Sequence, residues 1–532
     1  MKKILWVGDS TETNSGYANY SRNILKLLSQ TGKYQINELA CFGDFRDIAN
    51  SKSPWQIYSN MPTNPKEELE YEQHPQNKFG AYKLNDLLIK IKPDVVIDIR
   101  DWWMLNYEDL SPLRPYFKWL IMPPIDSIPQ PPEFLSTYKR ADGLLSYTDW
   151  GKEELEMVNL KVLGVASPAI NYEIFCPLNK VKCREALGFK DKDIVLLSVM
   201  RNQKRKQFPE LLQAFSSLLD NNNIPETARR RLKLHLHCQY PDNGWDLPKY
   251  LMADGIINKI SFSYKCNSCQ SFYVDFFKDG RSYCKKCGSF SSYNAGSSTG
   301  IKEQELSILY NCADYYIQYS SCEGFGIPIL EAAACGLKTF GVGYSATKEV
   351  IEKCGGVVIN PRSLYYDSGA EMLKSLPDNE DFVNKFSLEL INHHLLPYNR
   401  FKISEQAKKS YSFENAAKIW EKTIDDIGYG NWNTSPQIIE KQEINFYCDP
   451  REFVRNCIIY IASRPELCDT YWEKDMVQSI ILGVTTKEKS IYGSDMSIIS
   501  EDIKRKIYTR QDFYNFCEDL RADKIKWEQK RQ

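Results

Sequence analysis

Tyr315-Tyr-Ile-Gln318, then Tyr319-Ser320-Ser-Cys-Glu323-Gly-Phe-Gly326, then Ile327-Pro328-Ile-Leu-Glu331-Ala-Ala-Ala-Cys-Gly336 reads as strand, loop and helix in direct succession. The short apolar run suits a buried strand. Gly324 and Gly326 let the backbone come close to a ligand. Pro328 suits a first helical turn, where its missing N–H would be unpaired anyway. The helix start offers free N–H groups and the positive end of a dipole, a fit for a diphosphate. The carboxylates of Glu323 and Glu331 flank that anion site, where they would accept hydrogen bonds from sugar and ribose hydroxyls. Taken alone, the stretch reads equally as a generic glycine-containing turn between strand and helix.

Outward from this loop the same alternation recurs. Ile194–Val199, Leu232–His237 and Ile260–Ser263 read as strands, with helices over roughly 209–219 and 303–312. Toward the N-terminus Ile4–Gly8, Leu39–Phe42, Val95–Ile99, Trp119–Met122 and Gly143–Ser146 read as strands, with helices over 17–28, 83–91 and from about Trp150. Residues 46–80, polar and containing Pro, read as an insertion or long loop. Two runs of alternating strands and helices imply two parallel sheets, each with its ligand end at the strand C-termini. The expected organisation is an N-terminal Rossmann-like acceptor domain over 1–167, a linker at Pro168–Pro177, and a Rossmann-like donor domain over 178–410. A returning helix over 411–427 and a mostly helical extension over 428–532 follow.

The bulk numbers agree with a soluble globular protein of several domains. The 532 residues exceed one compact domain, and 42% hydrophobic with 26% charged residues is ordinary globular composition. A formal net charge of −1 gives no global field for nucleic acid. No apolar stretch is long enough to span a membrane. The run Ile4-Leu-Trp-Val7 stops at Gly8-Asp9, too short for a signal-peptide core. The 16 Cys are mostly scattered singly, as in a reducing, cytoplasmic compartment.

Val199-Met-Arg201-Asn-Gln-Lys-Arg-Lys206 adds cations at a strand end, where Arg201 and Lys206 would neutralise a diphosphate leaving group. Lys204 and Arg205 read as a solvated basic turn. With these residues the chain resembles the retaining glycosyltransferases of the GT-B fold, of the family-4 type. Glu323 and Glu331 match its paired glutamates eight positions apart, Ser320 its serine, Arg201 and Lys206 its cation pair. Pro168–Pro177, with Asn171, Phe175 and Pro177, matches its interdomain stretch. The resemblance covers about residues 1–427. It implies two Rossmann-like domains facing a cleft and a nucleoside-diphosphate sugar held mainly by the second. It implies ribose on Glu331, donor sugar against Glu323, diphosphate on Arg201 and Lys206, and ligand on the backbone of Gly324, Phe325 and Gly326. Transfer of a hexose or pentose would retain configuration, the leaving phosphate taking the acceptor proton. Only Gly16 remains of the paired glycines of the N-terminal donor loop, and Gly343-Tyr-Ser-Ala-Thr-Lys-Glu349 replaces the usual Gly-Gly turn. Arg100 stands where the family has His.

The acceptor would meet Arg100, Asp101 and Asp126, at the ends of two strands. Asp126 would orient a hydroxyl or stabilise positive charge in the transition state. The carboxylates here also read as helix caps or partners of Arg100: Asp101 and Asp126 equally so, and Asp98 more than either. No metal-binding Asp-x-Asp pair stands at a suitable loop, so no catalytic divalent ion is expected. Cys266-Asn-Ser-Cys269 and Cys284-Lys-Lys-Cys287 have the spacing of a four-cysteine zinc ribbon over 264–292, its zinc structural because four thiolates leave no open position. Lys285, Lys286 and Arg281 would let such a ribbon touch nucleic acid, with a hydroxylated DNA base as acceptor in the manner of bacteriophage DNA glycosyltransferases. His235 and His237 share a strand face; metal or nucleotide binding is open to them, and a partly buried face is the plainer reading. The alternative to an enzyme is a catalytically silent GT-B scaffold that binds through the ribbon and the C-terminal extension.

Overall fold

The computed structural model describes residues 1–432 apart from 254, 297–300, 370, 396 and 397. The helical extension expected over 428–532 lies almost wholly outside the described residues.

The first lobe is built on seven parallel strands: β1 (Lys2–Asp9), β2 (Tyr34–Cys41), β3 (Gln56–Ser59), β4 (Val95–Asp98), β5 (Lys118–Ile121), β6 (Gly143–Ser146) and β7 (Val162–Val165). Their order is β3-β2-β1-β4-β5-β6-β7. The order reverses between β1 and β4, and ligands of such sheets bind at that crevice. Ile4, Leu5, Trp6 and Val7 are wholly buried, as strands covered by helices on both faces must be. The segment 46–80 is not one long loop. It contains β3, the sheet edge, and a helix at Pro65–Glu72. A four-residue edge strand next to Pro54 carries too little periodicity to stand out.

The second lobe holds β8 (Ile194–Val199), β9 (Leu232–His237), β10 (Ile260–Cys266), β11 (Phe272–Phe276), β12 (Ser282–Tyr283), β13 (Phe290–Asn294), β14 (Tyr315–Gln318), β15 (Lys338–Val342) and β16 (Val357–Ile359). The order is β12-β13-β10-β9-β8-β14-β15-β16, with β11 on the other side of β10. The parallel part is β10-β9-β8-β14-β15-β16. The cysteine-rich segment is therefore not a separate appendage: β10 runs out of the parallel sheet and becomes the spine of the antiparallel ribbon. A hairpin, β17 (Pro361–Tyr366) and β18 (Leu373–Pro377), follows β16.

The helix Phe413–Asp426 returns to the first lobe. Trp420 is fully buried, packs edge-on against Trp6 at 5.4 Å and donates its indole N–H to the Tyr20 hydroxyl at 2.7 Å. The lobes also meet directly. The Leu373 amide donates to the Ile128 carbonyl at 2.6 Å, and the Trp150 amide to the Glu349 carboxylate at 2.8 Å. Among the described residues no helix is long and apolar enough to cross a membrane.

Candidate active site

A cavity of about 730 Å³ opens between the lobes. Asp9, Gly16, Tyr17 and Tyr20 line it from the first lobe, and Arg201, Lys206, His237 and Glu323–Pro328 from the second. The helix Ile327–Ala334 points its N-terminus here. Gly326 caps it at φ +101°, a conformation that L side chains rarely adopt, and a Cβ there would stand 2.9 Å from Ile329. A Cβ on Gly324 would stand 2.8 Å from the Pro124 Cβ, so this loop sits tight against the opposite lobe.

Glu323 is the convergence point. Its side chain accepts from the Ser320 hydroxyl and the Gln318 amide at 2.7 Å each, and from the Arg205 guanidinium at 2.7 Å. The Lys206 ammonium makes a close ion contact to the same carboxylate, with both side chains buried. Burial lowers the Lys206 pKa and the neighbouring Arg205 lowers it further. The facing carboxylate offsets that cost, since a buried ammonium without a partner sheds its proton. Ser345, held at φ +51°, clamps the Glu323 backbone from both sides: its hydroxyl accepts from the amide at 3.0 Å and donates to the carbonyl at 3.1 Å.

Arg201 lines the cavity, half-exposed, and pairs with Asp242 at 2.9 Å. Glu331 lies one turn past Pro328 and does not line the cavity; it accepts from the Tyr310 hydroxyl at 2.7 Å. Burial pushes its carboxyl up to about 7, although part of its surface stays open. A Cβ on Gly16 would meet nothing within 4 Å, so it would enter the cavity space alone. Asp9, beside it, accepts from the Ser15 hydroxyl at 2.6 Å through one oxygen; the other is buried without a hydrogen-bond partner.

On the first-lobe side Asp101 accepts from the Tyr17 hydroxyl at 2.8 Å, and its carboxyl is raised by burial first and by Asp126 among its neighbours. Asp126 is half-buried and 3.5 Å from the Cys322 sulfur. Arg100 does not reach the acceptor side. It is fully buried, ion-paired with Asp98, and donates to the Phe79 carbonyl at 2.8 Å. A guanidinium buried inside the lobe on its own strand-end carboxylate is out of reach of a ligand in the cleft. Arg205, read from sequence as a solvated turn residue, is the converse case: it reaches Glu323.

Residues 298–387 match the family model described as "Glycosyl transferases group 1". No curated protein matches the chain by sequence. Among solved structures it is similar to a sucrose-phosphate synthase from Thermosynechococcus elongatus at 15% identity and a TM-score of 0.56, over 80% of this chain and 98% of that one. A glycosyltransferase from Rickettsia africae is similar at 15% identity and 0.55, over 80% and 98%. Anabaena HepE, solved in complex with UDP and glucose, is similar at 12% identity and 0.53, over 80% and 100%. The fold is GT-B.

Beside this GT-B cleft the four ribbon sulfurs of Cys266, Cys269, Cys284 and Cys287 lie within 4.8 Å of one another. Cys266–Cys287 and Cys269–Cys284 are each 3.7 Å apart. A tetrahedral ion with Zn–S bonds of ~2.3 Å places its sulfurs ~3.8 Å apart, so the donor set fits a four-thiolate metal. The Lys286 amide points at the Cys284 sulfur at 3.3 Å, a contact that supports a thiolate. No disulfide forms among the described cysteines. Two of the basic side chains expected to face nucleic acid are engaged within the ribbon: Lys285 pairs with Asp275 at 2.7 Å, and Arg281 stacks over Phe290 at 5.3 Å.

Proposed function

We propose that the protein transfers a hexose or pentose from a nucleoside-diphosphate sugar to an acceptor hydroxyl, with retention of configuration. The reading rests on Glu323, fixed by Ser320, Gln318, Arg205 and Lys206 at a glycine-capped helix start inside an interlobe cleft. HepE, a structural neighbour, is solved with UDP and glucose, which supports a nucleotide-sugar donor. Residues 1–167 act as the acceptor domain and 178–410 as the donor domain.

In this reading the helix start and the cations Arg201 and Lys206 take the diphosphate, while Glu323 orients the sugar hydroxyls. Serine, phenylalanine and glycine backbone around Ser320, Gly324, Phe325 and Gly326 shape the sugar pocket; Gly16 admits the donor from the opposite lobe. Glu331, one helical turn beyond the cavity-lining Pro328 and still partly open, accepts from the ribose. The acceptor oxygen bonds to the anomeric carbon as the bond from that carbon to the phosphate oxygen breaks, and the acceptor proton passes to that phosphate oxygen on the same face. The helix start and these cations stabilise the leaving nucleoside diphosphate, Arg201 and Lys206 exchanging part of their contacts with Asp242 and Glu323 for it. Asp101 and Asp126 position the acceptor hydroxyl.

The acceptor is read as a glycan hydroxyl. A DNA base is less supported, since Lys285 and Arg281 are engaged inside the ribbon and the chain carries a net charge of −1. The ribbon metal is read as structural zinc, and the compartment as cytoplasmic, in keeping with free thiols.

The test is incubation of purified protein with a panel of nucleotide-sugars, following nucleoside diphosphate release and the anomeric configuration by NMR. Release that vanishes in Glu323→Gln and in Lys206→Ala, with a retained anomer, is the expected result. Nucleotide binding without release from any donor and acceptor pair would favour the silent scaffold instead.

A further inference from the structure

Strand β9 ends in two histidines on one face, and the fold treats them differently. Both ring nitrogens of His235 are engaged, at 2.8 Å from the hydroxyls of Ser261 and Ser263. His237 is 8% exposed and lines the interlobe cavity. Neither of its ring nitrogens has a hydrogen-bond partner among the described residues, and Nδ1 is wholly buried. Buried polar atoms in folded proteins are nearly always paired, so a bare ring on a cavity wall marks a place where a bound molecule completes the pairing.

The chemistry of the wall narrows the ligand. Around His237 the cavity is lined by Cys238, Gln239 and Gly296, none of them charged. Arg201 and Lys206 line the same cavity from just beyond β8, the strand paired with β9, and the Met200 amide at the end of β8 donates to the His237 carbonyl at 3.2 Å. Burial pushes the His237 imidazole down to about 4, so it is neutral at physiological pH. A neutral imidazole holds one N–H donor and one bare nitrogen acceptor. That suits the mixed donor and acceptor edge of an uncharged nucleoside, whereas a phosphate, which only accepts, would use the N–H alone. Phe272 of the ribbon meets the His237 ring edge-on, with ring centroids 6.3 Å apart.

We propose that His237 is a specificity-determining residue of the donor site, its unpartnered ring hydrogen-bonding the nucleoside half of the donor. The proposal rests on the donor-site reading above. It is tested by calorimetric titration of wild type, His237→Ala and His237→Gln with UDP, ADP and GDP, and with inorganic pyrophosphate. For the tightest nucleotide, His237→Ala weakens binding tenfold or more, equivalent to about 1.4 kcal/mol, and leaves pyrophosphate within twofold. His237→Gln, whose amide also carries a donor and an acceptor, recovers part of the loss and remains readable if the alanine variant does not fold. Nucleotide affinity unchanged within twofold in both variants overturns the proposal, as does an equal loss for nucleotide and pyrophosphate. If wild type binds none of the three nucleotides, the donor-site reading itself fails and the role of His237 falls with it.

Discussion

Glu331 sits where burial keeps its carboxyl close to neutrality, at about 7. Its ordinary value is near 4.5, so the raised group ionises as pH climbs from about 6 to 8, and in the proposed donor site only the carboxylate can accept from two ribose hydroxyls. Affinity for a nucleoside diphosphate should therefore rise over that range by up to about tenfold from this residue. Glu331→Gln should lose the rise; a titration of UDP at several pH values, wild type against variant, reads the difference. Gly16 makes a second residue-scale case. A Cβ there meets no protein atom, so Gly16→Ala should leave the melting temperature unchanged or slightly higher. Turnover should fall severalfold if donor or acceptor needs that space, and an unchanged kcat/KM would show that it does not. The residues legible in sequence were those whose task is local. Gly324, Gly326 and Pro328 shape one turn, and Ser320 reaches Glu323 from three positions away. Ser345 and Arg205 act on Glu323 through space, from 22 and 118 positions away, and no pattern in the chain joins them. Arg100 failed for the same reason in reverse, since its partner Asp98 claimed it inside the lobe.

At the scale of elements, the ribbon is joined to the cleft by β10 and by Phe272, which touches the His237 ring. The pair spacing of its cysteines was plain in the sequence; its continuity with the parallel sheet was not, because β10 looks like an ordinary short strand up to Cys266. With the proposed metal in the ribbon, treatment with a chelator should loosen β11 and so weaken nucleotide binding. Phe272→Ala should weaken it severalfold with one metal ion per chain still bound. Metal analysis beside the UDP titration separates the two, and a Phe272→Ala variant of unaltered affinity would cut the ribbon from the donor site. The helix at Trp102–Asp109 escaped a periodicity reading because it buries Glu108 and Asp109 along with Leu105. The Glu108 carboxylate accepts from the Trp119 indole at 2.5 Å, so a polar contact does the work an apolar stripe does elsewhere.

Across the whole molecule, the two lobes share one late element. Trp420 fills the first lobe's core although the second lobe's entire sequence comes before it. Trp420→Ala should destabilise that lobe by ~3–5 kcal/mol, through the cavity left and the contact to Tyr20 lost. Urea unfolding followed at the first lobe should show the shift, with the second lobe's transition unmoved. This arrangement also has a consequence for synthesis. On the ribosome the seven-stranded sheet emerges complete, yet the groove beside Trp6 stays open until the helix Phe413–Asp426 follows. At translation speeds of ~5–20 residues per second, that interval is on the order of 10–50 s. During it the nascent first lobe displays bare tryptophan and isoleucine surface, the kind a chaperone recognises, and the arrival of Trp420 is what seals it.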